Sequence, residues 1–167
     1  MKKKLVLVGI VLLLIILAIV LVLFWNNRKI EVPDNPELIV ALDFMTAPSS
    51  EYTYYFSENT IIEKYYSGGV LSTGPVSSES ITKYYFKENI DLTSLIEFLN
   101  KYDKVENKND YEEITVTIKG GDSYCIETST VDEKTGLKVS SNTITHEIWD
   151  EILKITDKAY KTEEFLN

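Results

Sequence analysis

Several residue types that enzymes and metal sites depend on are nearly missing from this chain. A single cysteine and a single histidine stand among 167 residues. One cysteine excludes an internal disulfide framework, so the fold must rest on its own core. One histidine, His146, excludes a multi-histidine zinc site. A Ser-His-Asp triad would need its base in the first turn of a helix, where His146 sits beside Glu147. No P-loop and no G-x-G-x-x-G occurs, and "GVLSTG" (69 to 74) misses the G-x-S-x-G spacing, so no cofactor is implied. Asp103, Glu106, Asp110, Glu112 and Glu113 lack the EF-hand spacing and read as a solvated acidic loop rather than a calcium site.

Basic residues are also scarce where it matters. Lys2, Lys3, Lys4, Arg28 and Lys29 account for five of the 17 cations. That leaves 12 against 26 acidic residues, or −14, from position 30 onward. Such a surface repels phosphate backbones and excludes nucleic acid. It keeps an exposed domain soluble, or draws in a basic partner.

What the chain does have is a long apolar run. "LVLVGIVLLLIILAIVLVLFW", Leu5 to Trp25, carries no charge, proline or amide. At about 1.5 Å per residue it gives roughly 32 Å of helix, enough to cross a bilayer core. It exceeds the apolar region of a cleavable signal and is followed by "NNRK" with no A-x-A site, so an uncleaved single-pass anchor is expected. Three lysines and the amino terminus before it outweigh Arg28 and Lys29 after it. The expected orientation is N-terminus inside and C-terminal domain outside. This gives a tail and anchor over 1–29, a stalk over 30–37 with Pro33 and Pro36, and an extracytoplasmic domain over 38–167.

Within that domain "LIVALDFM" (38–45) predicts a strand and "TAPSS" a turn. "YTYYF" and "TIIEKYY" flank Ser57-Glu58-Asn59, a three-residue hairpin loop with Asn59 suited to the left-handed position. "SGGVLSTGPVSSES" (67–80) reads as a long Gly/Ser/Pro-rich loop, mobile or functional, and "ITKYYFK" as the next strand. Asp91 caps a helix whose staple is Ile90 with Leu95 and whose stripe is Leu92, Leu95, Ile96 and Leu99. "ITVTIKGGDSYCIETSTV" is a hairpin about Gly120-Gly121, and "VDEKTGLKV" turns the chain again. A last helix is expected from about His146 to Tyr160. Thr145 would cap it, Ile144 and Trp149 form its staple, and Ile148, Ile152, Ile155 and Ala159 its stripe. The class is α+β, an antiparallel sheet with two amphipathic helices on one face.

"YYFSENTIIEKYY", "ENIDLTSLIEFLNKY", "ITVTIKGGDSYCIET" and "HEIWDEILKI" together resemble small uncharacterised exported or membrane-anchored α+β proteins of Gram-positive bacteria. The resemblance covers 38–160 and implies a bacterial cell envelope, with no catalytic residue. Ser80-x-x-Lys83, Lys134-Thr135-Gly136 and Ser140-x-Asn142 match serine β-lactamase signatures. Here, however, the first falls on a β-pattern, where residues three apart face opposite ways. The second falls in a turn, and the chain order is wrong. Cys125 depends on register. A two-residue Gly-Gly turn sets it opposite Val116, and a three-residue loop sets it with Thr115 and Thr117.

Three tyrosine doublets are the most distinctive feature: Tyr54-Tyr55, Tyr65-Tyr66 and Tyr84-Tyr85. Strand neighbours point to opposite faces, so each doublet offers one ring to the core and one outward. The outer three would make an amphipathic patch for a cell-wall glycan or protein ligand, or else cover the sheet's open face. The expectation is a membrane-tethered, non-catalytic binding or structural module. The alternative is a small acidic inhibitor or immunity-type protein that occupies a basic protein partner.

Overall fold

The structure is a computed structural model and describes residues 12–19, 33–44, 49–71, 74–106, 114–121 and 123–166. The chain divides into two units, Met1–Glu31 and Val32–Asn167. In the first, residues 12–19 form helix α1, and every one of its side chains is exposed. Among the described residues no helix is long and apolar enough to cross a membrane. The rest of the Leu5–Trp25 run lies outside the described residues, as do the flanking lysines and the start of the stalk.

The second unit is α+β. Its strands are β1 (Leu38–Phe44), β2 (Ser49–Phe56), β3 (Thr60–Leu71), β4 (Gly74–Tyr85), β5 (Lys104–Val105), β6 (Ile114–Ile118), β7 (Ser123–Ile126), β8 (Ser129–Val131), β9 (Lys138–Ser140) and β10 (Lys161–Leu166). Eight make one antiparallel sheet in the order β10-β4-β3-β2-β1-β6-β7-β5, and β8 with β9 forms a separate ribbon. The central strand "LIVALDF" alternates strictly, with Leu38, Val40, Leu42 and Phe44 buried and the residues between them half-buried. Its partners place Tyr54 and Phe56 beside Val40 and Leu38 on one side, and Ile114 and Val116 beside Leu42 and Val40 on the other. That face carries the core.

Helices α2 (Thr93–Leu99) and α3 (Thr143–Thr156) bury Leu95, Leu99, Ile148 and Ile152 in the same cluster. The centres of both expected stripes therefore hold, and both helices pack on one face of the sheet, but Leu92 stands at the N-cap of α2 and α3 ends at Thr156, short of Ala159 and of the expected end at Tyr160. Beyond α2, Tyr102 donates its hydroxyl proton to Glu147 on α3 (2.6 Å). All members of the core cluster fall between Leu38 and Ile152, so this unit carries a core of its own.

Four expectations are corrected. The 57–59 loop has a two-residue tip, because Ser57 and Thr60 pair (2.9 Å), and Asn59 is not left-handed. The carbonyls of Glu58 and Asn59 instead accept from Ile90 (2.6 Å) and Phe86 (2.9 Å), docking the tip on the approach to α2. Residues 67–71 and 74–80 are not a loop. They continue β3 and β4 as a ribbon, with Ser67 opposite Ser78 and Leu71 opposite Gly74. Helix α3 begins at Thr143 rather than at His146, and Thr145 is buried within it instead of capping it. The chain then turns at 157–160 and adds β10 along β4, a strand that no hydrophobic alternation announces. Its Lys161, Glu163 and Glu164 are the charges that protect an edge strand from further pairing.

Candidate functional site

The register fixes where each tyrosine goes. On the helix-covered face Tyr54 lies opposite Val40 and Glu63, Tyr65 opposite Tyr52 and Ser80, and Tyr84 opposite Ile61 and Thr162. On the open face Tyr55 lies opposite Ile39 and Ile62, Tyr66 opposite Glu51 and Glu79, and Tyr85 opposite Thr60 and Lys161. Each doublet thus divides one ring to each face.

The inner rings surround a carboxylate. Tyr54 is 0% exposed, and its hydroxyl oxygen accepts from Trp149 Nε1–H (2.9 Å). Tyr84 donates to Glu63 Oε2 (3.0 Å), and the Tyr54 hydroxyl also bonds to Glu63. Burial raises the Glu63 carboxyl above its ordinary value. The two hydroxyls partly offset this, and nearby Glu164 adds to the rise. Burial, followed by the Glu63 charge, likewise drives the Tyr54 and Tyr84 phenols upward. Around this network Tyr52 packs on Tyr65 (4.7 Å between centroids) and on Trp149 (5.5 Å), while Phe44 meets Trp149 (5.6 Å) and His146 (4.9 Å). Glu63 and Tyr52 escaped the sequence reading. The signal was present in "TIIEKYY", since Glu63 lies two residues from both Ile61 and Tyr65 and so must share their face.

The outer rings do not make one patch. Along β3 the three lie at the rows of Thr60, Ile62 and Tyr66. Tyr66 is six residues from the row of Tyr85, about 20 Å on a strand. Tyr85 is held between Lys83 (5.1 Å) and Lys161 (4.9 Å) and donates to Glu163 (2.7 Å). Tyr55 lies under Lys64 (5.6 Å). On the same face Ile62 is only 1% exposed, although both described helices that pack on the sheet lie on the other side. Tyr55 and Tyr85 therefore belong to a self-covering layer of rings and lysine stems.

Tyr66 differs. It is 47% exposed, and the phenol end of its ring lies directly over Gly68, where a Cβ would come within 2.6 Å of the hydroxyl oxygen. Glu51 and Glu79 flank it on neighbouring strands, and among the described residues neither carboxylate makes a hydrogen bond or ion pair. A shallow depression of about 290 Å³ runs from Tyr66 past Thr53 and Lys64 to Tyr55. A second cleft of about 450 Å³, between Phe86, Ile90, Ile155 and Tyr160, has matched charges: Lys158 lowers the Asp91 carboxyl, and Lys87 covers the Tyr160 ring (5.9 Å). The main cause of the low Asp91 value is the Thr93 backbone N–H it accepts (2.9 Å).

Of the catalytic candidates, Ser80 and Lys83 point to opposite faces of β4. Lys134 and Thr135 donate backbone N–H groups to Asp132 in a turn. The Cys125 alternatives resolve toward the three-residue loop. Thr115 faces Cys125, Gly120 takes the left-handed position (φ 74°), and the thiol is buried 3.7 Å from the Thr115 hydroxyl. His146 is exposed, and its Nδ1 must carry the proton because it faces the Asn142 carbonyl (2.8 Å). Of the acidic loop, Asp110, Glu112 and Glu113 lie outside the described residues. Among the described residues no group of three His, Cys, Asp or Glu side chains could hold a metal ion.

No family model, curated protein or solved structure matches the chain.

Proposed function

We propose that this protein is a single-pass, membrane-tethered binding module of a bacterial cell envelope, with its α+β domain outside the membrane and no catalytic role. One observation carries the reading. Residues 12–19 are apolar on every side of a helix and all exposed. A helix that is apolar all round needs a protein core or a bilayer around it, and this one lies within a 21-residue uncharged run. The lysines at positions 2–4 favour an inside N-terminus, and the acidity from position 30 onward suits an exposed domain.

The non-catalytic part of the reading draws on the same site geometry. The lone thiol is buried among strands, and the exposed His146 turns its Nδ1 to a backbone carbonyl. Glu63 is enclosed by tyrosine hydroxyls, with no nucleophile in the network. The open sheet face with its one protruding ring is the natural place for a ligand.

The test is membrane extraction. The full chain should remain with the membrane after alkaline carbonate washing and be released only by detergent, whereas residues 33–167 alone should be soluble. Release of the full chain by carbonate would overturn the reading.

A further inference from the structure

We infer that the Tyr66 platform on the open sheet face is a docking site for an arginine side chain presented by a basic protein partner. This deepens the binding-module reading and rests on it. Three independent features meet at the site. The first is an exposed aromatic ring held in place: of the six doublet tyrosines it alone is more than a third exposed, and it lies over Gly68, a residue with no side chain to lift it. The second is charge. Glu51 and Glu79 stand directly across from Tyr66 on the two neighbouring strands, about 5 Å away on either side; the Glu51 charge also acts on Tyr55, but among the described residues neither carboxylate makes a hydrogen bond or ion pair. The third is shape, the depression of about 290 Å³ that opens beside the ring.

A ring face between two carboxylates matches a guanidinium better than other groups. The guanidinium is flat enough to stack on the ring, weakly hydrated, and carries five donors in its plane that can reach acceptors on both sides. A lysine ammonium satisfies one carboxylate as a point charge and loses more hydration. A neutral sugar could stack on Tyr66, but it would leave both carboxylates uncompensated. Lys64 lines the same depression but does not fill the role from within, because its ammonium lies over the Tyr55 ring on the neighbouring strand rather than over Tyr66. The net charge of −14 beyond position 30 adds long-range attraction for a basic partner. Gly68 acquires a reason from this reading. Its φ is not in the left-handed region, so a strand would accept a larger residue there, but any Cβ would displace the platform.

The experiment titrates the full chain in neutral detergent micelles with acetyl-Gly-Arg-Gly-amide, following the ring resonances of Tyr66 by NMR. The citrulline and lysine analogues and a chitin tetrasaccharide are titrated in parallel. The arginine peptide should shift Tyr66 in a saturable, salt-sensitive way. The citrulline peptide should not bind, and the lysine peptide should bind several-fold more weakly. Glu51→Gln with Glu79→Gln should weaken the arginine peptide at least tenfold. Gly68→Ala should do the same while its thermal unfolding stays that of the parent chain, and Tyr85→Ala should leave binding unchanged.

Equal binding of the citrulline or lysine peptide overturns the arginine assignment, as does full affinity in Gly68→Ala. Saturation of Tyr66 by the tetrasaccharide alone overturns it too, yet leaves a binding module in place. Failure of the tether itself is read separately, in the carbonate wash.

Discussion

Removing one oxygen atom tests the inner network. Tyr54→Phe keeps the ring and its packing but deletes the hydroxyl that accepts from Trp149 and bonds to Glu63. The indole N–H of half-buried Trp149 then has no acceptor at that position, and the Glu63 carboxylate is left with the Tyr84 hydroxyl as its donor. Leaving a buried donor unpaired costs about 1–3 kcal/mol, against about 0.5–1.5 for an ordinary hydrogen bond. A loss of about 2 kcal/mol is therefore expected. Tyr54→Ala removes a fully buried ring as well and should cost about 3–5 kcal/mol. The control lies one residue away. Tyr55→Phe changes a partly buried ring on the open face and should fall within about 0.5 kcal/mol of the parent. Urea unfolding of residues 33–167 at neutral pH, with the slope required to stay constant, separates these values. If Tyr54→Phe and Tyr55→Phe unfold at the same urea concentration, the network does not hold the domain together and the partition of the doublet has no energetic meaning.

Glu63→Gln probes the same cluster through pH. Burial raises the folded carboxyl, so the parent chain loses stability as pH rises from the ordinary carboxylate range through the folded value. The glutamine variant lacks that loss, so its urea midpoint relative to the parent should rise as pH is taken from about 4 to neutrality. A relative midpoint that falls over that window would contradict the burial argument. In thermal melts Tyr66→Ala should be nearly silent, whereas Tyr84→Ala should destabilise by losing both a ring and a donor to Glu63. Tyr85→Ala should fall between them, because its ring is clasped by Lys83 and Lys161. Ile152→Asp places a carboxylate at a 0% exposed position on α3. It should cost enough to unfold a domain whose total stability is about 5–15 kcal/mol. The side chain of Lys154 is 65% exposed and, among the described residues, paired only with Glu151, so Lys154→Asp should destabilise by about 1 kcal/mol at most. Equal melts for these two variants would refute the orientation of α3.

What the sequence disclosed was periodic. Spacing of two along "LIVALDF" and spacing of three and four along "LTSLIEFL" and "HEIWDEIL" placed the central strand and both helix stripes. The same alternation divided the doublets, since neighbours on a strand cannot share a face. Composition misled where pairing decided the outcome. Residues 67–80 look like a loop because glycine, serine and proline dominate them, yet 67–71 of β3 continue to pair with 74–78 of β4. Strand β10 was hidden because its alternation is of charges, and only β4 beside it makes it a strand. Asn59 lost its expected conformation to a tertiary demand, the docking of the 58–59 carbonyls onto Phe86 and Ile90. The patch of three outer tyrosines failed on geometry that no single strand can reveal. The stagger between strands, not the alternation within them, separates Tyr66 from Tyr85.

The claim that matters most for what this protein does is that the acidic domain stands outside a membrane on a retained anchor. Protease added to intact, wall-stripped cells that express the full chain tests it most directly. The 33–167 domain should disappear from the outside, while a short membrane-embedded N-terminal fragment survives. A domain that resists protease until the cells are lysed would contradict it.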